Sequence, residues 1–176
     1  TNIGIPTNEN PYGVLVENCS YVRFKGLRVT GLQQHRGGNG ISWGWNTFSS
    51  TFIIHERIEI DHIGGRGFSI GHSNDVTYLN CDVHHIDDRW SNPGAWGGAD
   101  GFSGTGGETS TRTTYEGCRS WWCSDDGFDF YSTDGLRTLK NCWSFWNGYQ
   151  PGTFITGGNG EGFKLGPTNT NQSATL

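Results

Sequence analysis

One short pattern recurs five times along this chain and limits its fold more than any other feature. A glycine precedes a large apolar residue and then a variable one, at Gly40-Ile41-Ser42, Gly67-Phe68-Ser69, Gly101-Phe102-Ser103, Gly127-Phe128-Asp129 and Gly162-Phe163-Lys164. The glycines stand 27, 34, 26 and 35 residues apart. A second pattern, a small or turn-forming residue before an apolar one or a cysteine, interleaves with the first. It reads Gly26-Leu27, Asp61-His62, Asn80-Cys81, Gly117-Cys118 and Asn141-Cys142, once before each glycine motif, with His62 the poorest fit. Self-similarity at this period marks a repeat architecture, in which each unit buries its apolar face by stacking on the next.

The stretches upstream of the second pattern, such as 21–24, 76–79 and 136–139, are rich in β-formers. A unit of about 25 residues with two or three short strands describes one coil of a parallel β-helix. A leucine-rich repeat is disfavoured by the missing Leu pattern and helix formers, and a β-sandwich does not explain two ordered, interleaved motifs. The expectation is an all-β solenoid of about five coils spanning residues 1–176 as one domain. Stretches 89–98 and 148–158 read as insertions at turns, and 167–176 as a C-terminal tail. Composition agrees: 29 glycines suit a turn-rich chain, while 8 Trp, 10 Phe and 6 Tyr supply too much aromatic surface for a disordered one. A formal charge of −5 argues against a nucleic-acid binder, and no apolar run has the length of a membrane span. A monomer is expected.

In a solenoid, equivalent residues of successive coils stack about 4.8 Å apart, so columns in the sequence become columns in space. Ile41, Phe68, Phe102, Phe128 and Phe163 form an inward apolar column. Cys81, Cys118 and Cys142 form another, read as packing rather than as disulfides. Asn80 and Asn141 share a column where a left-handed bend or an amide ladder suits Asn. The position two after the glycine (Ser42, Ser69, Ser103, Asp129, Lys164) faces outward by strand alternation. The position just before it (Asn39, Arg66, Asp100, Asp126, Glu161) alternates inward. Because burying unpaired acids is prohibitive, a bend at the glycine is expected to turn that position outward.

These columns bring Asp125, Asp126 and Asp129 of one coil beside Asp100 of the coil below. Four carboxylates in one patch raise one another's pKa values unless a cation resolves the conflict, and oxygen-only ligands favour Ca²⁺ over zinc or copper. Lys164 stands in the Asp129 column one coil on. A lysine beside a bound cation has a lowered pKa and can serve as a general base. The matching reaction is elimination on a uronate. Hydrolysis needs two carboxylates free for acid and base roles rather than a metal-sequestered set. No His occupies a convincing metal-ligand spacing. Trp121, Trp122, Trp143 and Trp146 flank the acids and could stack on sugar rings. Among the arginines 66, 89, 112, 119 and 137, Arg119 is the first choice to pair with a substrate carboxylate.

The motifs around these residues are Ala99-Asp100-Gly101-Phe102, Trp121-Trp122-Cys123-Ser124-Asp125-Asp126-Gly127-Phe128-Asp129, Asn141-Cys142-Trp143-Ser144-Phe145-Trp146-Asn147-Gly148-Tyr149 and Gly158-Asn159-Gly160-Glu161-Gly162-Phe163-Lys164-Leu165-Gly166. In this order they resemble polysaccharide lyase family 9, over roughly residues 14–166. The resemblance implies a right-handed parallel β-helix and Ca²⁺-dependent β-elimination of pectate (polygalacturonate) or a related acidic polysaccharide. It also implies metal ligands at Asp100, Asp125, Asp126 and Asp129, and Lys164 as base. A polymer-degrading enzyme meets its substrate outside the cell, so secretion is expected from that function. Members of that family are much longer, so the chain is expected to be a partial or short member. The competing reading is a non-catalytic carbohydrate-binding or adhesin β-helix that Ca²⁺ only stiffens.

Overall fold

A computed structural model describes residues 11–34, 41–91, 94–104, 109–131, 133–165 and 172–175. The chain winds through three parallel sheets, five full coils and the start of a sixth. The first sheet holds β1 (Tyr12–Glu17), β4 (Ser42–Phe48), β7 (Gly65–Gly71), β10 (Phe102–Gly104), β13 (Phe128–Asp129) and β16 (Phe163–Lys164). The second holds β2 (Ser20–Lys25), β5 (Thr51–Glu56), β8 (Asn74–Leu79), β11 (Thr109–Glu116), β14 (Asp134–Lys140) and β17 (Gln172–Thr175). The third holds β3 (Arg28–Thr30), β6 (Glu59–Ile63), β9 (Asp82–Ile86), β12 (Arg119–Cys123) and β15 (Trp143–Phe145). The parallel β-helix expected from the repeat is therefore the fold.

Register corrects the repeat in its early coils. Phe68 pairs with Trp45, not Ile41, and Trp45 pairs with Val14. The inward column is thus Val14, Trp45, Phe68, Phe102, Phe128 and Phe163. Its rings stack from Phe68 to Phe102 (5.4 Å), to Phe128 (4.7 Å) and to Phe163 (4.9 Å). Gly44-Trp45-Asn46 is the true second-coil motif, while Ile41 precedes the strand and Asn39 and Gly40 lie outside the described residues. Asn46 likewise replaces Ser42 in the Ser69–Ser103–Asp129–Lys164 column. The second pattern shifts too: Glu56 pairs with Leu79, so Arg57-Ile58, not Asp61-His62, precedes Asn80-Cys81. Arg57, Asn80, Gly117 and Asn141 all take φ between 50° and 65°, the left-handed bend proposed for the Asn column. Behind it Ile58, Cys81 and Cys118 are fully buried, and all five cysteines are free thiols, as packing requires.

The repeated glycine has a different cause from the one expected. None of Gly13, Gly44, Gly67, Gly101 or Gly127 has positive φ, so conformational freedom is not the reason. A Cβ on any of them would come within 3.0 Å of the carbonyl oxygen of the next coil's glycine. It would also strike the third-sheet side chain of its own coil: Val29, Ile60, Val83, Ser120 and Ser144 respectively. Glycine is needed where the first and third sheets close on one another. A Gly67→Ala change forces backbone apart and is strongly destabilising.

The stretch 167–176, read as a tail, contributes Gln172–Thr175 as a strand on β14. Backbone pairing on an open parallel edge needs no apolar period, so no hydrophobic signal announced it. The two expected insertions are present as long connections after β9 and after β15. The second is pinned as a hairpin by a Tyr149–Thr156 bridge.

Candidate active site

Both long connections border the short turn between β12 and β13, and the acids gather there. Asp100 ends the connection into β10, Asp125 and Asp126 form the turn, Asp129 ends β13 and Lys164 ends β16. Backbone hydrogen bonds fix the vertical order. Gly67 N donates to Asp100 O (2.9 Å), Gly101 N to Asp126 O (2.9 Å) and Gly127 N to Glu161 O (3.0 Å). Arg66, Asp100, Asp126 and Glu161 therefore stack as a column, while Asp129 pairs with Lys164 in the next.

The position before the glycine is buried rather than solvent-exposed: Asp100 is 1% exposed and Asp126 0%, and cationic and backbone partners make that burial tolerable. The Lys164 amine donates to Asp126 Oδ2 (2.8 Å) and lies 3.9 Å from Asp129 Oδ2. Arg66 Nε is 3.5 Å from Asp100 Oδ2. Backbone amides supply the rest: Asn159 N donates to Asp125 Oδ1 (2.7 Å), Glu161 N to Asp126 Oδ1 (2.8 Å) and Tyr131 N to Asp129 Oδ1 (2.8 Å). Asp100 Oδ1 is buried with no hydrogen-bond partner.

These partners do not balance the charge. Four carboxylates face the cations of Lys164 and Arg66. Burial, then the fields of the neighbouring acids, hold Asp100 well above the usual carboxylate range despite Arg66. Burial also raises Asp125. Burial first, then the hydrogen bond with Glu161, push Asp126 to about 7 against the pull of Lys164. Burial works to lower the Lys164 pKa, but its hydrogen bond to Asp126 and the charges of Asp129, Asp126 and Asp125 outweigh it, so the ammonium is favoured.

Asp100, Asp125 and Asp126 each offer an oxygen within 4.8 Å of the others. Two oxygens bound to one Ca²⁺ at 2.3–2.6 Å lie at most about 5 Å apart, so the spacing fits. The donor set is all oxygen, one of its atoms is orphaned, and its excess charge matches a divalent ion. The residues present fit calcium. Asp129 is set toward Lys164 rather than among the three.

Arg119 is not part of this arrangement. It stands at the start of β12, the far end from Asp125, and its guanidinium grips Asp82 of the coil below (Nε to Oδ1, 2.7 Å). Arg66, not Arg119, is the arginine at the acids. Three of the four tryptophans belong to ring ladders on and beyond the third sheet: Trp121 lies between His84 and Phe145, and Trp122 beside Trp146; Trp143 begins β15 and is exposed. A second ligand-like group, Glu59, Asp61 and His84, lies on the third sheet. It is the set that the histidine spacing did not reveal, because the three come from two different coils.

Residues 3–176 match the model for the Pel9A-like, right-handed β-helix region. The chain belongs to the Pel9A-like right-handed β-helix family. It is 34% identical over 163 residues, 88% of its length, to pectate lyase L of Dickeya chrysanthemi and equally to pectate lyase L of Dickeya dadantii (strain 3937). The chain spans about a third (34%) of the length of these curated relatives. A solved rhamnogalacturonan lyase superposes with a TM-score of 0.73 at 28% identity, over 92% of this chain and 40% of that one.

Proposed function

We propose that this Pel9A-like chain carries the reaction centre of a polysaccharide lyase acting on a uronate-containing polymer, with polygalacturonate the first substrate to test. The observation that carries the reading is a primary amine held 2.8 Å from a buried acid whose group is short of positive charge. The names of the relatives, pectate lyase and rhamnogalacturonan lyase, support the same class.

Asp100, Asp125 and Asp126, with Asp129 at the rim, would hold Ca²⁺. When bound, the ion neutralises the sugar carboxylate and stabilises the negative charge that develops as C5 loses its proton. The protein supplies the remaining steps. Lys164, its ammonium proton given up to water once the acids are compensated, takes the C5 proton as general base in its neutral amine form. The C5–H electron pair becomes the C4–C5 double bond, the C4–O bond breaks, and the departing oxygen takes up a proton. Amides of Asn159 and Glu161 keep Asp125 and Asp126 fixed while this happens. A polymer of this kind is met outside the cell, so the protein is proposed to act there.

The test follows absorbance of the 4,5-unsaturated product from polygalacturonate with Ca²⁺. Activity should rise with pH through neutrality, because the neighbouring acids hold Lys164 as ammonium and only the free amine is a base. A non-catalytic sugar-binding helix gives no product, and a bell centred near pH 5 contradicts the role of Lys164.

A further inference from the structure

An elimination of this kind needs two proton movements, and Lys164 supplies one. The glycosidic oxygen that leaves C4 is an alkoxide, a poor leaving group unless a proton reaches it as the C4–O bond breaks. The acids beside the amine do not serve. Asp100 and Asp126 are closed to solvent, and Asp126 is already engaged by the Lys164 amine and by Glu161 N.

A phenol stands on the other side of the amine. After β13 the chain keeps to the first-sheet ladder for one more residue: Phe130 N donates to Lys164 O (3.0 Å), and the Phe130 side chain is fully buried. The residues on either side of it, Asp129 and Tyr131, therefore face outward with Lys164. Tyr131 is 51% exposed, open to a bound sugar. Its place is nevertheless fixed. Its N–H donates to Asp129 Oδ1 (2.8 Å), and its ring centre lies 5.7 Å from Lys164 Nζ, within cation–π range.

The order of these groups matches the order of the reacting atoms. In chain direction come the acids of the turn, then Asp129 with the paired Lys164, then Tyr131. In a uronate the carboxylate is carried on C5, the proton to be removed is on the same carbon, and the bond to be broken is on C4. A sugar with its carboxylate toward the acids and its C5 proton at the amine can then present its C4 oxygen to the phenol. Two groups that each come within roughly 3 Å of atoms on neighbouring ring carbons are separated by a distance of the order seen between this amine and this ring.

We propose that Tyr131 is the general acid of the elimination, donating its phenolic proton to the glycosidic oxygen as Lys164 removes the proton from C5. This deepens the lyase reading and rests on it. The step balances. The amine gains the C5 proton, the C5–H electron pair forms the C4–C5 double bond, the C4–O pair goes to the oxygen, and that oxygen takes the phenolic proton. The protein is left with an ammonium and a phenolate side by side. One proton passed from Lys164 to Tyr131 through water restores both for the next turnover.

Tyr131→Phe tests this, because it keeps the ring over Lys164 and removes only the hydroxyl. It is assayed beside the unaltered chain, with Ca²⁺, on polygalacturonate and on a galacturonide carrying para-nitrophenoxide at C4, which departs without a proton. On the polymer kcat should fall at least about a hundredfold, the lower range for a general acid, with KM little changed. On the activated substrate it should fall less than about threefold. An unchanged kcat on the polymer overturns the proposal and leaves the ring a packing or sugar-contact role. An equal fall on both substrates also overturns it, because a residue that only orients Lys164 slows both. Calorimetric titration of Ca²⁺ should give the same affinity in Tyr131→Phe as in the unaltered chain; a weakened affinity assigns the loss to the metal site and overturns the acid role. If the unaltered chain eliminates neither substrate, the lyase reading falls and the acid with it. If both proteins eliminate both substrates at equal rates, only the acid falls.

Discussion

Two buried acids in this solenoid, Asp61 and Asp126, sit in groups with opposite electrostatics. On the third sheet Asp61, its side chain 0% exposed, is enclosed by Arg28 and by His62 Nδ1 at 3.1 Å, while His84 Nε2 meets Glu59 Oε1 at 3.2 Å. Burial alone would raise the Asp61 pKa, but hydrogen bonds from Arg28, Thr30 and His62 outweigh it and bring it down to about 2. Asp126, equally buried, is pushed up to about 7. The two groups share residue chemistry and differ in whether their partners suffice. The first is a finished ion-pair network. The second is short of positive charge and has a lysine at its edge. Buried acids in excess of their partners point to a ligand, whereas buried acids alone do not.

The comparison can be broken most forcefully at Lys164. Lys164→Ala should lower kcat by between about a hundred- and ten-thousandfold, the usual worth of a general base. Loss of a bystander ion pair would leave kcat nearly intact. Asparagine at the paired acids gives the next largest contrast. Without divalent cations, Asp61→Asn should lower Tm by roughly 2–8 °C, since it weakens charge-assisted hydrogen bonds worth about 1–2 kcal/mol to a partly solvated arginine. Asp126→Asn should leave Tm unchanged or raise it, because it removes one of several mutually repelling charges. Equal losses in both variants would erase the distinction.

Stability should also depend on pH with opposite signs at the two sites. Asp126 has a folded pKa of about 7, above the ordinary carboxylate value near 4. The folded state holds its proton longer, so that contribution is complete below pH ~4 and lost as pH rises through about 7. Asp61 is depressed to about 2, so its contribution is present above pH ~4 and lost as pH falls toward 2. Thermal melts in chelator should show a decline from pH 4 to 7 that Ca²⁺ abolishes and Asp126→Asn flattens. The smallest effect is expected at Arg119, which pairs with Asp82 at the surface. Arg119→Ala should change KM by less than about twofold and Tm by about 1 °C or less.

Much of this was readable from residue order. Gly67, Gly101, Gly127 and Gly162 each precede a Phe, and their spacing alone puts Asp100, Asp126 and Lys164 in adjoining columns. The early coils were misaligned because Gly40-Ile41 imitates the motif four residues before the true Gly44-Trp45. In those coils the inward residue is Trp or Val, so no repeated Phe marks the register. The glycine's role was misjudged for a physical reason. Its constraint is the approach of a neighbouring coil and of the third-sheet column, which lies outside the local sequence. Arg119 was in principle legible. Asp82 and Arg119 each follow a cysteine of one column, so opposite charges had to stack, and that pairing removes Arg119 from substrate duty.

The central claim is that Asp100, Asp125 and Asp126 form a cation site completed by an added divalent ion. Calorimetric titration of Ca²⁺ into the chelator-treated protein tests it most directly. The account expects one ion per chain, retained in Asp61→Asn and Lys164→Ala and lost in Asp126→Asn. Absent binding, or binding that survives Asp126→Asn and disappears with Asp61→Asn, would contradict it.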